Sequence, residues 1–179
     1  MKWNLDTTHS AAEFAVKHLM ISTVKGQFRT LEGSGETFAD GTLKSVEMTI
    51  DVASIDTNVQ QRDDHLRSPD FFDVLNHPTL RFRSTKIEQK ESDVIVAGDL
   101  TIRGTTKPVT LRGEYASPTK DPWGNPRAAL SLTAKISRKE WGLVWNQVLE
   151  AGGFAVSDEV KIVVEAEAVA VQVPELVAV

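Results

Sequence analysis

Asp63, Asp64 and His65 set two carboxylates and an imidazole side by side, the donor types that hold a metal ion or move a proton. Consecutive residues do not converge on one face of a helix, so a metal site here needs remote help from His9, His18 or His77. The simpler expectation is that these groups cap a short helix or pair with Arg62 and Arg67, with no metal bound. Serines and four histidines are present, but no G-x-S-x-G elbow positions a nucleophile. No Walker loop or G-x-G-x-x-G occurs, and Gly33 and Gly35 follow a strand pattern without a clear helix to receive phosphate. Cysteine is absent, which excludes thiolate catalysis, thiolate metal sites and disulfides. The stretch 138–146, RKEWGLVWN, interleaves cations with indoles as a nucleic-acid stacking site does. A net charge of -5 argues against that use, so Trp141 is expected inside. Arg138, in phase with Ile136, is either an end-of-barrel charge or the contact for an anionic head group. No catalysis is expected.

The elements that position these groups are read from periodicity. The 179 residues fit a single domain, 1–179, with a loose tail from about 172. No apolar run approaches the ~18 residues of a spanning helix. Asp6 to Ser10 interrupt any signal-type apolar region, so a soluble, cytoplasmic protein is expected; a trimmed periplasmic protein would look the same.

Trp3 and Leu5 suggest a short first strand; Phe14, Val16 and His18 share one face of the next. Leu19-Met20-Ile21 reads as a turn tucked under an open edge. Val24, Gly26, Phe28 and Thr30 form a further face, with Gly33 and Gly35 as a bulge or bend at its end. Val46, Met48, Ile50 and Val52 alternate with polar neighbours. Between Gln60 and Ser84 the pattern becomes helical: Asn58 and Gln61 resemble a capping box, and Ser68-Pro69 can start a second turn. This segment is expected either to plug one barrel end, with Phe71 and Phe72 as apolar anchors, or to cross the surface with those aromatics finishing the core. Leu80 and Phe82 resume a strand, and the parity change at Ile87 predicts a bulge near Ser84 to Lys86. Strands follow through Val94–Ile102, Val109–Tyr115, Leu130–Ile136 and Val160–Val171, with Pro118–Pro126 as a long turn and 138–158 irregular.

About eight antiparallel strands, each with one apolar face, close as a barrel or pack as two sheets, and periodicity does not choose between them. Nor does it say whether the dry faces fill each other or line a pocket. Inward-facing Gly98 and Ala134 leave room, although a filled, tapering barrel also needs small residues.

Ordered motifs sharpen the expectation. They begin with Asp6-Thr7-Thr8-His9-Ser10, Phe14, Val16 and His18, then Val24 to Phe28. They continue through Arg62-Asp63, His65-Leu66, Asp70-Phe71-Phe72-Asp73, His77 to Phe82, Gly98 to Val109, Arg138 to Gly142 and Val160 to Ile162. In order and spacing the chain resembles the YceI-like family of lipid- or polyisoprenoid-binding proteins over nearly all its length. His77 departs from the pattern, where an aromatic often precedes the proline. The resemblance implies an all-β, elongated, eight-stranded antiparallel lipocalin-like barrel with a short helical plug and long loops. Its interior would hold a polyisoprenoid, an isoprenoid quinone or a pyrophosphate precursor, and no cofactor is required. The implied contacts are Phe14, Val16, His18, Phe28, Met48, Ile50, Phe71, Phe72, Phe82, Leu100, Leu132, Ile136, Arg138, Trp141 and Ile162. His18, Lys17 and Arg138 are the candidates to receive a polar head. A homodimer is compatible with the chain, since two barrels can hide sheet edges, but no residue decides it.

Overall fold

The fold is that of a computed structural model describing residues 1–150 and 152–171. The expected loose tail lies outside the described residues. The elements in order are β1 (Lys2–Leu5), β2 (Ala11–His18), β3 (Ser22–Phe28), β4 (Leu31–Thr37), β5 (Leu43–Asp51) and β6 (Ile55–Asp56). Then come α1 (Gln60–Arg67), β7 (Thr79–Lys90), β8 (Asp93–Ile102), β9 (Thr105–Lys120), β10 (Pro126–Ser137) and β11 (Val156–Ala170).

All strand pairs are antiparallel, and the ring β1-β4-β5-β7-β8-β9-β10-β11 closes when β1 pairs back to β11. This is the expected eight-stranded barrel. Three wall positions are broken strands. β1 and β2 lie along successive parts of β11, and β3 and β4 continue one another beside them. A 3₁₀ turn at Val52–Ser54 separates β5 from β6. β6 pairs only with β3, and β7 pairs with β5 and not with β6. The wall gap this leaves is covered by α1 and the turns after it.

α1 is held from the preceding loop and not by a capping box. Its N-cap is Val59, without a side-chain cap, and Asn58 stands at φ 62°. Asp63 instead reaches back, accepting from the Thr57 N–H at 2.9 Å and the Thr57 hydroxyl at 2.6 Å. Asp64 accepts from Gln60 and Arg67, as the expected pairing with Arg67 required, whereas Arg62 donates to Thr57. The Ser68 carbonyl accepts from Phe71 and Asp73, forming the second turn.

Several local expectations change. Gly33 and Gly35 lie inside β4, not at a bend; a Cβ at either would stand 3.1 Å from a backbone oxygen of β5, so glycine lets the strands approach. β9 runs on to Lys120, shortening the expected turn to 121–125. A register shift between Arg127 and Ala129 absorbs Pro118, which has no N–H to give the ladder. The Ser84 to Lys86 bulge is present as the parity predicted. β11 begins at Val156, four residues earlier than its alternation suggested. Leu19, Met20 and Ile21 form a turn, but it projects into solvent and is not tucked under an edge.

Two apolar clusters stabilise the barrel. One joins Val52, Ile55, Phe71, Leu80 and Trp141 beneath α1; the other joins Trp3, Val94, Val96, Leu111 and Tyr115 toward the opposite end. On that second side, the polar tips are tied internally. Trp3 Nε1 donates to Thr37 Oγ1, and the Tyr115 hydroxyl donates to the Gly41 carbonyl. An Arg127-centred network clamps the adjoining surface: its guanidinium reaches Asp6 at 2.7 Å, Asp121 at 3.0 Å and Glu167. Hydrogen bonds from Thr8, Arg127 and His9 hold Asp6 below the usual carboxylate range. Burial alone would raise Asp121; donors from Arg127, Asn125 and Trp123 outweigh it and bring its pKa to about 2.

Candidate functional site: an apolar tunnel

The two clusters touch through Val109 on β9 but do not fill the barrel. Between them runs a cavity of about 430 Å³ with an almost wholly apolar lining. That volume falls within the roughly 300–1,000 Å³ of sites that enclose a small ligand. Its shape follows from the strands that line it. At the deep end, Trp3, Leu43 and Tyr115 are buried and close it. Toward the other end the lining residues Val16, His18, Val24, Arg62, His65 and Val156 are only half-buried. They come from the ends of β2 and β11, the start of β3 and one face of α1, and they form a mouth.

Room in the deep half comes from β10 and β11. Ala128 lies opposite Ala168 and Leu130 opposite Ala166, so three of these four inward positions carry only a methyl group. Gly98 leaves no such space: a Cβ there would stand 2.5 Å from both Phe82 Cζ and the Arg83 carbonyl oxygen, because the Phe82 ring already covers it. Phe14 covers Gly26 in the same way.

Of the expected contacts, Phe14, Val16, His18, Phe28, Met48, Ile50 and Phe71 line the tunnel, as do Phe72, Phe82, Leu100, Leu132, Ile136, Arg138 and Ile162. Trp141 does not. It is buried behind the wall, and its Nε1 donates to the Leu100 carbonyl, so it supports the site without facing it. Lys17 points to the outer surface, where its Nζ donates to Thr23. Arg138 takes the first of its two expected roles, a charge at the barrel end. Its guanidinium is buried and donates to the carbonyls of Ser157, Leu143, Trp145 and Val156, which ties the 142–157 segment over the barrel end. Burial lowers its pKa, and nearby Asp158 works in the opposite direction. With its donors committed to the backbone, Arg138 is a structural clip and a poor receptor for a head group.

The polar groups at the mouth are instead His18, Arg62 and His65. Arg62 Nε donates to Thr57 Oγ1 at 2.7 Å, and His65 Nε2 lies 2.9 Å from Asp70 Oδ2. His65 also packs edge-on against Phe71 and Trp145, with ring centroids 5.1 and 4.7 Å away. Phe71 and Phe72 anchor the plug as expected, Phe72 meeting Phe28 at 6.0 Å. Arg62 and His65 were legible as an i, i+3 pair on one helix face, but the sequence does not say that this face overlooks an opening. Among the described residues, one acid–histidine group is compact enough for a metal: Asp6, His9 and Glu167. The Arg127 guanidinium already bridges its two carboxylates and supplies the countercharge a metal would bring.

A closed eight-strand barrel, a helix over one wall gap and an apolar tunnel are the geometry to set beside known proteins. The model of the YceI-like domain matches residues 3–168. The chain belongs to the YceI-like family. A UPF0312 protein of Photorhabdus laumondii is 37% identical over 141 residues, covering 78% of this chain and 73% of that one. Among solved structures, Burkholderia cenocepacia BcnA superposes with a TM-score of 0.78 at 23% identity, covering 91% of this YceI-like chain and 98% of its own. A polyisoprenoid binding domain from Saccharophagus degradans, implicated in plant cell wall breakdown, gives 0.69 at 15% identity, covering 94% and 98%. At these identities the two superpositions speak for the shared barrel.

Proposed function

We propose that this YceI-like protein binds and carries a long apolar lipid, of the polyisoprenoid or isoprenoid-quinone class, with its chain in the tunnel and its head at the mouth. The observation that carries this is the tunnel's shape: apolar along its length, closed by Trp3 and Tyr115, and open beside His18, Arg62 and His65. An isoprenoid unit of five carbons buries on the order of 100 Å², worth about 2.5 kcal/mol at ~25 cal/mol per Å² before ordering costs. A few units therefore suffice for micromolar binding without any covalent step. The polar groups nearest the chain favour binding over turnover: Arg138 is engaged with carbonyls, Arg62 with Thr57 and His65 with Asp70. Likeness to the Saccharophagus domain supports an isoprenoid over a straight acyl chain.

Mass spectrometry of an organic extract of the purified protein is the direct test, with an isoprenoid at near-stoichiometric amount as the expected result. A tunnel that stays empty and takes up neither prenyl alcohols nor quinones in titration removes the proposal. Turnover of such a ligand would instead make the protein an enzyme acting on an isoprenoid amphiphile.

A further inference from the structure

The β2–β3 turn breaks a local rule. Leu19 and Met20 stand at φ 50° and 63°, and the Ile21 N–H donates back to the His18 carbonyl at 3.2 Å. Two successive positive φ values are those of a type I′ turn, here within a three-residue loop because His18 pairs with Ser22, and such positions favour Asn-Gly because bulky side chains clash there. Here the positions carry Leu and Met, and neither is repaid by burial: Leu19 is 45% exposed, Met20 71% and the next residue, Ile21, 85%. Packing does not explain three consecutive large apolar residues held out in a strained turn.

They are not isolated. Leu19 N–H donates to the Ala155 carbonyl at 2.9 Å, which docks the turn against the 147–155 segment. Met20 Sδ lies over Gly153, where a Cβ would stand 2.6 Å away. Beside it, Val148 and Phe154 bridge to one another and are 73% and 53% exposed. Five exposed apolar side chains from two segments therefore form one patch, which begins where the mouth residues His18 and Val156 end.

We infer that this patch is a membrane-docking surface that inserts into the interface of a lipid bilayer and presents the tunnel mouth to it. The inference rests on the lipid-carrier reading for its purpose, but its evidence is separate. The patch adjoins the open end of an apolar tunnel, at His18 and Val156. The Leu19 and Ile21 N–H groups are bonded within the fold, so the turn holds its apolar side chains outward on a fixed backbone. Lys17 precedes the turn on β2 and Lys139 Nζ stands 5.7 Å from the centre of the Phe154 ring, while the chain carries -5 overall. Insertion is thus apolar and needs no anionic lipid.

The test is flotation of the full chain with phosphatidylcholine vesicles, at low and high salt. Wild type is expected to float with little salt dependence. Leu19→Asn/Met20→Gly supplies the residues the turn prefers, so it should melt at the same or a higher temperature yet lose roughly 10–100-fold in vesicle partitioning. Ile21→Asp should weaken flotation similarly. Both variants should still take up farnesol in titration, because none of these side chains lines the tunnel. Flotation of the variants at the wild-type level overturns the inference. So does wild type that stays with the buffer, or sedimentation showing that the patch only joins two copies of the chain. Loss of farnesol uptake by wild type with patch-dependent flotation intact would overturn the carrier reading and leave the docking surface standing.

Discussion

Ala166→Phe is the substitution that most directly interrogates the tunnel. Ala166 faces the deep half, opposite Leu130 on β10, with only a methyl group pointing inward. A benzyl group adds six carbons there, about the size of one isoprenoid unit. If the chain reaches this depth, the variant excludes one unit and forfeits on the order of 100 Å² of burial, about 2.5 kcal/mol at ~25 cal/mol per Å². That is roughly a 60-fold loss of affinity for a chain long enough to fill the tunnel, at ~1.4 kcal/mol per decade. A chain one unit shorter should bind nearly as before. The ligand-free variant should be at least as stable as wild type, because the ring fills space that costs packing energy when empty. The assay is titration of prenyl alcohols differing by one unit, read by quenching of Trp145 at the mouth. Thr110→Phe, on the exposed outer face of β9, is the control. Equal losses at every chain length, or no change in a folded variant, would refute the placement of the ligand.

Replacing Arg138 by Leu strands the carbonyls of Ser157, Leu143, Trp145 and Val156; a loss of about 3–5 kcal/mol in urea unfolding is expected, and one below about 1 kcal/mol would contradict the clip. Asp6 and Asp121 have folded pKa values below their unfolded ones, so their contribution is present above the ordinary value of 3.8; that of Asp121 is lost as pH falls toward about 2, and that of Asp6 at still lower pH. Arg127→Ala should therefore flatten the decline of the urea midpoint between pH 4 and 2, and parallel pH profiles for the two proteins would reject the network. Gly98→Ala forces a methyl group against Phe82 and the Arg83 carbonyl, with an expected cost of about 1–3 kcal/mol. Adding Phe82→Leu should recover part of that loss but not all, since the backbone clash remains; full recovery in thermal melts would argue otherwise.

Much of the wall was legible because a strand's two faces repeat every second residue. Val46, Met48 and Ile50 marked β5, and the parity change at Ile87 located a bulge before any pairing was known. Turn signals were less dependable. Gly33 and Gly35 look like punctuation but serve close strand approach, and Pro118 looks like a break but sits at a register shift. In both cases the deciding atoms belong to the neighbouring strand. The tunnel-lining positions were mostly legible as inward parities; Trp141, past the end of β10, does not line it, Lys17 sits on the outward parity of β2, and Arg138 takes the end-of-barrel one of its two expected places. Arg62 and His65 came to the mouth through the path of α1 across the gap between β6 and β7.

The chain's own pattern determined that this would be an antiparallel sheet with one dry face, interrupted once by a short helical segment, because periodicity is a property of consecutive residues. Only the tertiary structure decided that the sheet closes, that its dry faces stand apart around a tunnel, and that Leu19, Met20 and Ile21 face outward. Those outcomes depend on distances between strands remote in sequence, on which alanine meets which leucine across a ladder, and on which backbone hydrogen bonds dock one loop against another.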